Sequence, residues 1–375
     1  MKTMSDVQKH VQKAIDELVD SGAERGLQVA AYQRGELVVD AVAGVADSSS
    51  GRRVDSGTPF YCFSVVKAAA STIVHILVEK GLFGYDTPVV EVWPEFGAHG
   101  KDKVTVRHVL SHSAGVPGVP LTTTIEDLCD WDKMCAAIAD EELWWEPGTK
   151  IGYHALTFGY IVGEIVRRAT GKPISTVLMD DVSRPLGAPK EMYFGMPRGE
   201  QHRLAVLEDA PMSPEMMAQM AQMPKDLPMF KAAPMSLMPN AAFGNREDVL
   251  AADIPAGGKT SARAIARLYA ALLGKVDGVR LISAQRLREV TTVAMSGPDQ
   301  VFGMPTRWGL GYSIGGLGAG ESQTSIFGVG GVGGSFACGD TATGIAFALT
   351  KNRLTQDFNT ASRVMELVTR SLTEA

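Results

Sequence analysis

Residues 61–81, YCFSVVKAAASTIVHILVEKG, set a lysine at the mouth of an otherwise apolar run. Val66, Ala69, Ala70, Ile73, Ile76 and Leu77 recur at i, i+3, i+4 and i+7, which predicts a helix with one buried face, and Gly81 is its natural stop. Ser64 then falls at the helix N-terminus, where unpaired N–H groups and the positive end of the macrodipole stabilise charge developing on oxygen. Lys67 lies one turn further along the same face. Among apolar neighbours its ammonium loses hydration, its pKa falls, and the amine can take the proton of the Ser64 hydroxyl. Such a pair is a nucleophile with its base. Spacing alone leaves a second reading open, in which Ser64 caps the helix and Lys67 is a solvated first-turn residue. Two features favour the chemical reading: this is the sole Ser-x-x-Lys in the chain, and it opens the most apolar helix of the first half.

The chain around this stretch is ordinary globular protein. Its 375 residues, 45% hydrophobic and 21% charged, can bury a large core. A net charge of −6, a pI near 5.7 and the lack of a basic run argue against nucleic acid or an anionic membrane surface as partner. Residues 1–22 alternate charge with apolar side chains like an amphipathic helix, without the apolar core of a signal peptide, and no segment reaches transmembrane length. A cytoplasmic location is expected. Cys62, Cys129, Cys135 and Cys338 form no C-x-x-C pair, so they read as reduced and buried, with no metal or disulfide framework.

Residues 27–47, LQVAAYQRGELVVDAVAGVAD, read as a hairpin turning at Arg34 and Gly35. Residues 64–244 are mostly helix and loop. From residue 257 come a helix, then glycine-rich strands (RWGLGYSIGG, SIFGVGG, SFACGD, GIAFALTKN) and a last helix. The expected fold class is α/β (α+β): an antiparallel sheet built from both chain termini and flanked by helices. Residues 1–63 and 245–375 would form this sheet domain, with a mainly helical domain, 64–244, inserted.

Two further features carry chemistry. Tyr153, after the turn of Pro147 and Gly148, lies on a loop running into a helix, where its phenol could shuttle a proton if a neighbouring ammonium lowers its pKa. A packing tyrosine is the alternative. Glycines 328, 330, 331, 333 and 334 strip side chains from a strand so that a backbone or ligand can come close, and an N–H there could join the Ser64 N–H in an oxyanion hole. A tightly packed or bulged strand would look the same.

Three matches are rejected. GYSIG, residues 311–315, has the G-x-S-x-G spacing, but the GGLGAGESQTS after Ser313 cannot form the helix that a nucleophile elbow needs. GGKTS at 257 resembles the end of a phosphate loop, yet Asp253 stands where the first glycine belongs and Pro255 interrupts it. His108 and His112 have i, i+4 spacing without the following glutamate of hydrolytic zinc sites. The crowded methionines of residues 212–243 suit varied apolar shapes and are expected to form a lid or pocket wall, with an amphipathic surface segment as the alternative.

Together, FSVVK, VRHVLSHSAGVPG, EPGTKIGYHALTFGYIVGEIVRRATGK, AGGKTSARAIARLYAAL, WGLGYS and FGVGGVGGS resemble the serine β-lactamase and penicillin-binding-protein superfamily over nearly the whole chain. The closest likeness is to family VIII carboxylesterases, which look like class C β-lactamases in fold. The resemblance implies that Ser64 is acylated, that Lys67 is its base and that Tyr153 relays the proton. It also implies that Val332 N–H completes the oxyanion hole with Ser64 N–H, with Val329, Gly331 and Trp308 around the substrate. Two departures matter. Ala155 replaces the asparagine of Tyr-x-Asn, and Val329-Gly330-Gly331 replaces Lys-Thr-Gly, so the cation that meets a substrate carboxylate is lost. The expected activity is cleavage of small hydrophobic carboxylic esters without a cofactor. An acyltransferase on the same scaffold is the alternative; a β-lactamase, a D-Ala-D-Ala peptidase or a degenerate binding protein fits less well.

Overall fold

In the first strand, Leu27, Val29 and Ala31 turn to one face and Ala30 and Tyr32 to the other, and this alternation organises the molecule. The computed structural model describes residues 4–317 and 323–373. Helix α1 (Met4–Asp20) leads into strands β1 (Gly26–Gln33), β2 (Glu36–Asp47) and β3 (Arg52–Arg53). Arg34 (φ 50°) and Gly35 (φ 90°) both take the positive φ of a tight hairpin turn whose twist matches the strands it joins.

The remaining strands of the main sheet come from the C-terminal third: β4 (Met295–Pro298), β5 (Pro305–Trp308), β6 (Ser313–Ile314), β7 (Ile326–Gly330), β8 (Phe336–Asp340) and β9 (Ile345–Lys351). Their order is β3-β2-β1-β9-β8-β7-β6-β5-β4, antiparallel at each pairing. Strand β1 pairs with β9 from Leu27 opposite Lys351 to Gln33 opposite Ile345, so the two ends of the chain meet at the sheet centre. Strand β4 has no signal in the sequence because glycine and proline occupy two of its four positions.

Both faces of the sheet are covered, which explains why β9 is buried along its whole length. On one face Val7, Val11 and Ile15 of α1 meet Val364 and Val368 of the last helix, Asn359–Thr373. On the other, Ile265, Leu268 and Tyr269 of helix Ala262–Leu273 pack over Ala30, Ala337 and Ala348. Beyond that layer stand the helices of the middle of the chain, Lys67–Glu79 and Thr157–Thr170 among them. The helix Lys67–Glu79 corrects one expectation. Instead of one buried face it is buried all round from Lys67 to Leu77, because it runs between the sheet and the helical layer. Its polar side chains are satisfied inside: Thr72 Oγ1 donates to the Ala68 carbonyl at 2.7 Å, and Tyr85 Oη lies 2.8 Å from His75 Nδ1. Cys129 is half-buried rather than buried. Among the described residues no helix is long and apolar enough to cross a membrane.

Candidate active site

Ser64 belongs to a 3₁₀ turn, Phe63–Val66, that precedes the α-helix, and its hydroxyl makes no capping bond. The helix-cap reading is therefore replaced by a strained turn. Phe63 sits at φ 48°, costly for a bulky residue. It is held there by stacking on Tyr61 at 4.5 Å and by bonds from Gly258 N to the Phe63 carbonyl (3.1 Å) and Cys62 N to the Gly258 carbonyl (2.9 Å).

Lys67 begins the helix proper with a side chain only 1% exposed. Its Nζ lies 2.9 Å from Ser64 Oγ and donates to the Ala256 carbonyl at 2.5 Å. Burial, with no charged neighbour contributing, lowers its pKa to about 7. Tyr153 places its ring 5.2 Å from that nitrogen. Burial raises the phenol well above its usual range, the Ser64 hydroxyl pulls the other way, and Asp299 adds to the rise. This corrects the expected ammonium-lowered phenol: Lys67 is close to losing its charge, and desolvation dominates. At neutral pH the site offers a serine, an amine near its titration point and a protonated phenol.

The end of β7 abuts the Ser64 turn. A Cβ on Gly331 would run into the Cys62 carbonyl and the Val65 side chain, so only glycine lets the strand approach. Gly331 N donates to the Ser335 carbonyl (2.9 Å) and Gly334 N to the Gly331 carbonyl (3.1 Å); among the described residues no acceptor in the chain takes the Val332 N–H. With Val332 N–H in the oxyanion role that the resemblance implies, Gly331→Ala is expected to lower kcat by about 10²-fold with little change in KM, as for loss of one oxyanion donor. Steady-state kinetics on a p-nitrophenyl ester check this; an unchanged kcat would remove Val332 from the site.

Above these groups lies a cleft of about 820 Å³. Ser64, Tyr153, Trp308, Val329, Gly331 and Val332 all line it, and Lys67 reaches Ser64 from beneath. Phe302 and Met304, both exposed, form an apolar rim. Among the described lining residues the one charged side chain is Asp357, and no lysine or arginine is present. The sequence gives no hint of Phe302, Met304 or residues 355–358, which reach the cleft from two separate loops, nor of Asp299, which is buried and bonds the Tyr153 backbone.

Other expectations are corrected or placed. None of residues 212–243 is among the residues that line the cleft, and the helix Pro214–Gln222 buries no residue. Ser313 lines the cleft from the short strand β6, and residues 318–322 after it lie outside the described residues. Lys259 of GGKTS is buried on the middle strand of a small three-stranded sheet and donates to the Phe194 carbonyl at 2.5 Å. His108 completes a capping box with Thr105, whereas His112 lies beyond that helix.

A Ser-x-x-Lys pair beside the glycine-rich strand of an antiparallel sheet marks a class of serine acyl hydrolases, and this chain is one of them. The Beta-lactamase family model matches residues 11–370, and the chain belongs to that family. It is similar to the esterase/beta-lactamase LipL of Mycobacterium tuberculosis, 33% identical over 347 residues, covering 88% of this chain and 77% of the relative. Among solved structures it is similar to a family VIII carboxylesterase (TM-score 0.86, 33% identity, 98% of each chain). It is also similar to a penicillin-binding protein homologue from Caulobacter crescentus (TM-score 0.82, 31% identity, 98% of each chain).

Proposed function

We propose that this protein hydrolyses carboxylic esters of small hydrophobic substrates through a Ser64 acyl-enzyme. The observation that carries this reading is Lys67 Nζ, desolvated and 2.9 Å from Ser64 Oγ, beneath an apolar cleft with no lining cation among the described residues. The neutral amine takes the Ser64 proton as Oγ attacks the ester carbonyl, and the N–H groups of Ser64 and Val332 receive the negative charge forming on the carbonyl oxygen. As the carbon–oxygen bond breaks, Tyr153 gives its proton to the leaving alkoxide and is reprotonated from Lys67. Water then attacks the acyl carbon, loses its proton through the same pair, and Ser64 departs with a proton as the free acid leaves. The esterase and carboxylesterase descriptions of its relatives accord with this activity.

Penicillins and D-Ala-D-Ala peptides carry a carboxylate that Val329, standing in place of a lysine, cannot meet, and Asp357 repels it. Intact-protein mass spectrometry tests the proposal. Incubation with p-nitrophenyl butyrate is expected to give a transient butyryl adduct that maps to Ser64, absent from a folded and inert Ser64→Ala protein, while a chromogenic cephalosporin stays unopened. Turnover by Ser64→Ala would overturn the assignment, and rapid cephalosporin opening would overturn the substrate class.

A further inference from the structure

Three successive backbone N–H groups around Tyr153 are held from two sides. Gly152 N donates to the His112 carbonyl at 3.0 Å, Tyr153 N to Asp299 Oδ2 at 2.8 Å, and His154 N to His112 Nδ1 at 3.0 Å. His112 does this from φ 55°, a left-handed conformation that a non-glycine residue takes rarely and at a cost. From that conformation the carbonyl reaches residue 152 while the ring reaches residue 154.

The imidazole is fully buried, 4.6 Å from the Tyr153 ring and edge-on to Trp308 at 4.3 Å. Because Nδ1 accepts from His154, the ring proton resides on Nε2, which has no partner among the described residues. Burial, then His154 and Lys67, hold the ring neutral, so it brings no positive charge beside Lys67. Asp299 grips from the opposite side. Its Oδ1 accepts from Val301 N (2.8 Å) and Phe302 N (2.9 Å), so one carboxylate joins the Tyr153 backbone to the loop bearing the apolar rim.

We infer that His112 and Asp299 are positioning residues that clamp the 152–154 backbone and so aim the Tyr153 phenol at the leaving group. The inference rests on the proposed role of Tyr153 as the proton donor to that group. A displaced phenol slows departure of an alkoxide, which needs the proton, far more than departure of p-nitrophenolate, which does not. Leaving-group selectivity is thus a readout that a merely structural residue would not move.

The experiment compares ethyl butyrate with p-nitrophenyl butyrate. Asp299→Asn keeps the shape but offers one acceptor oxygen to three N–H groups. It is expected to lower kcat/KM, which reports acylation and leaving-group departure, at least about tenfold more for the ethyl ester than for the p-nitrophenyl ester. His112→Gly accepts the backbone conformation but lacks the ring acceptor, and is expected to show the same selectivity. His112→Asn tolerates positive φ and presents an oxygen near the place of Nδ1, and is expected to restore most of the lost rate. Labelling of Ser64 by a fluorophosphonate, whose fluoride leaves unprotonated, should stay near wild type in all three. Because the clamp is tested from two sites, failure of one variant to fold leaves the other to decide. Equal slowing of both esters by Asp299→Asn and His112→Gly, with Tyr153→Phe still selective against the ethyl ester, overturns the clamp alone. A Tyr153→Phe protein without that selectivity overturns the role of Tyr153 and the clamp with it.

Discussion

Replacing Lys67 by methionine is expected to lower kcat/KM for p-nitrophenyl butyrate by about 10⁴-fold while the protein stays folded. Methionine keeps the apolar stem that the surrounding helix layer packs against, and it orphans no ion partner. It deletes the two bonds of the nitrogen, to the Ala256 carbonyl and to Ser64 Oγ, a loss on the order of 1 kcal/mol each. What disappears is the acceptor for the Ser64 proton. The wild-type pH profile follows from the same nitrogen. With its pKa lowered to about 7 by burial, Lys67 is protonated and idle in acid and becomes competent as pH rises, so kcat/KM should climb along a single-proton limb centred near pH 7. Tyr153, raised by burial, keeps its proton well beyond that point, so the plateau should extend past about pH 9. A midpoint above about pH 9, or more than about a tenth of wild-type activity in Lys67→Met, would sink the assignment of Lys67 as base.

Stability should change with pH through two lysines. Lys67 and Lys259 are both buried, and burial depresses each from 10.5 to about 7. Above pH 7 the folded chain releases these protons while the unfolded chain still holds them. The unfolded state then binds more protons, and stability rises with pH, by up to about 1.4 kcal/mol per pH unit for each lysine. Below pH 7 both states are protonated and this gain is absent. The rise is limited from above, because burial raises all four thiols from 9.0, Cys62 to about 12 and Cys129 to about 11 with Cys135 and Cys338 raised as well, so in alkali the unfolded chain ionises first at four groups against two lysines and stability falls again. Between pH 7 and about 8.5 the wild type should gain up to about 4 kcal/mol, and Lys259→Met about half of that. Urea unfolding of both proteins at the two pH values checks this. Equal gains in wild type and variant would mean that Lys259 keeps its charge in the core, sustained by the Phe194 carbonyl and the Tyr61 ring 4.9 Å away.

Much of this protein is legible in its sequence because much of its organisation is periodic and local. The period of two in residues 27–47 and the turn at Arg34 and Gly35 yield the first hairpin as observed. Four glycine-rich stretches near the C-terminus yield β5 to β9, with RWGLGYSIGG supplying two of them. Ser64 and Lys67 can be paired from sequence because three positions of one turn bring them together wherever that turn is packed. Gly331 is readable as a close approach, though not that the Cys62 carbonyl is what approaches.

The sequence by itself determined which chemical groups exist and which are neighbours along a turn or strand: the serine and lysine proposed as nucleophile and base, the glycine-rich edge and the absence of a lysine at Val329. Only the tertiary structure decided their states. Desolvation sums over every segment that packs around a group, so the near-neutral Lys67 and the protonated Tyr153 follow from an assembled core and from no local pattern. The aim of Tyr153 was decided the same way. Its backbone is held by Asp299, 146 positions away along the chain, and by His112, two residues whose roles are defined only when the folded chain sets their acceptors opposite three consecutive N–H groups.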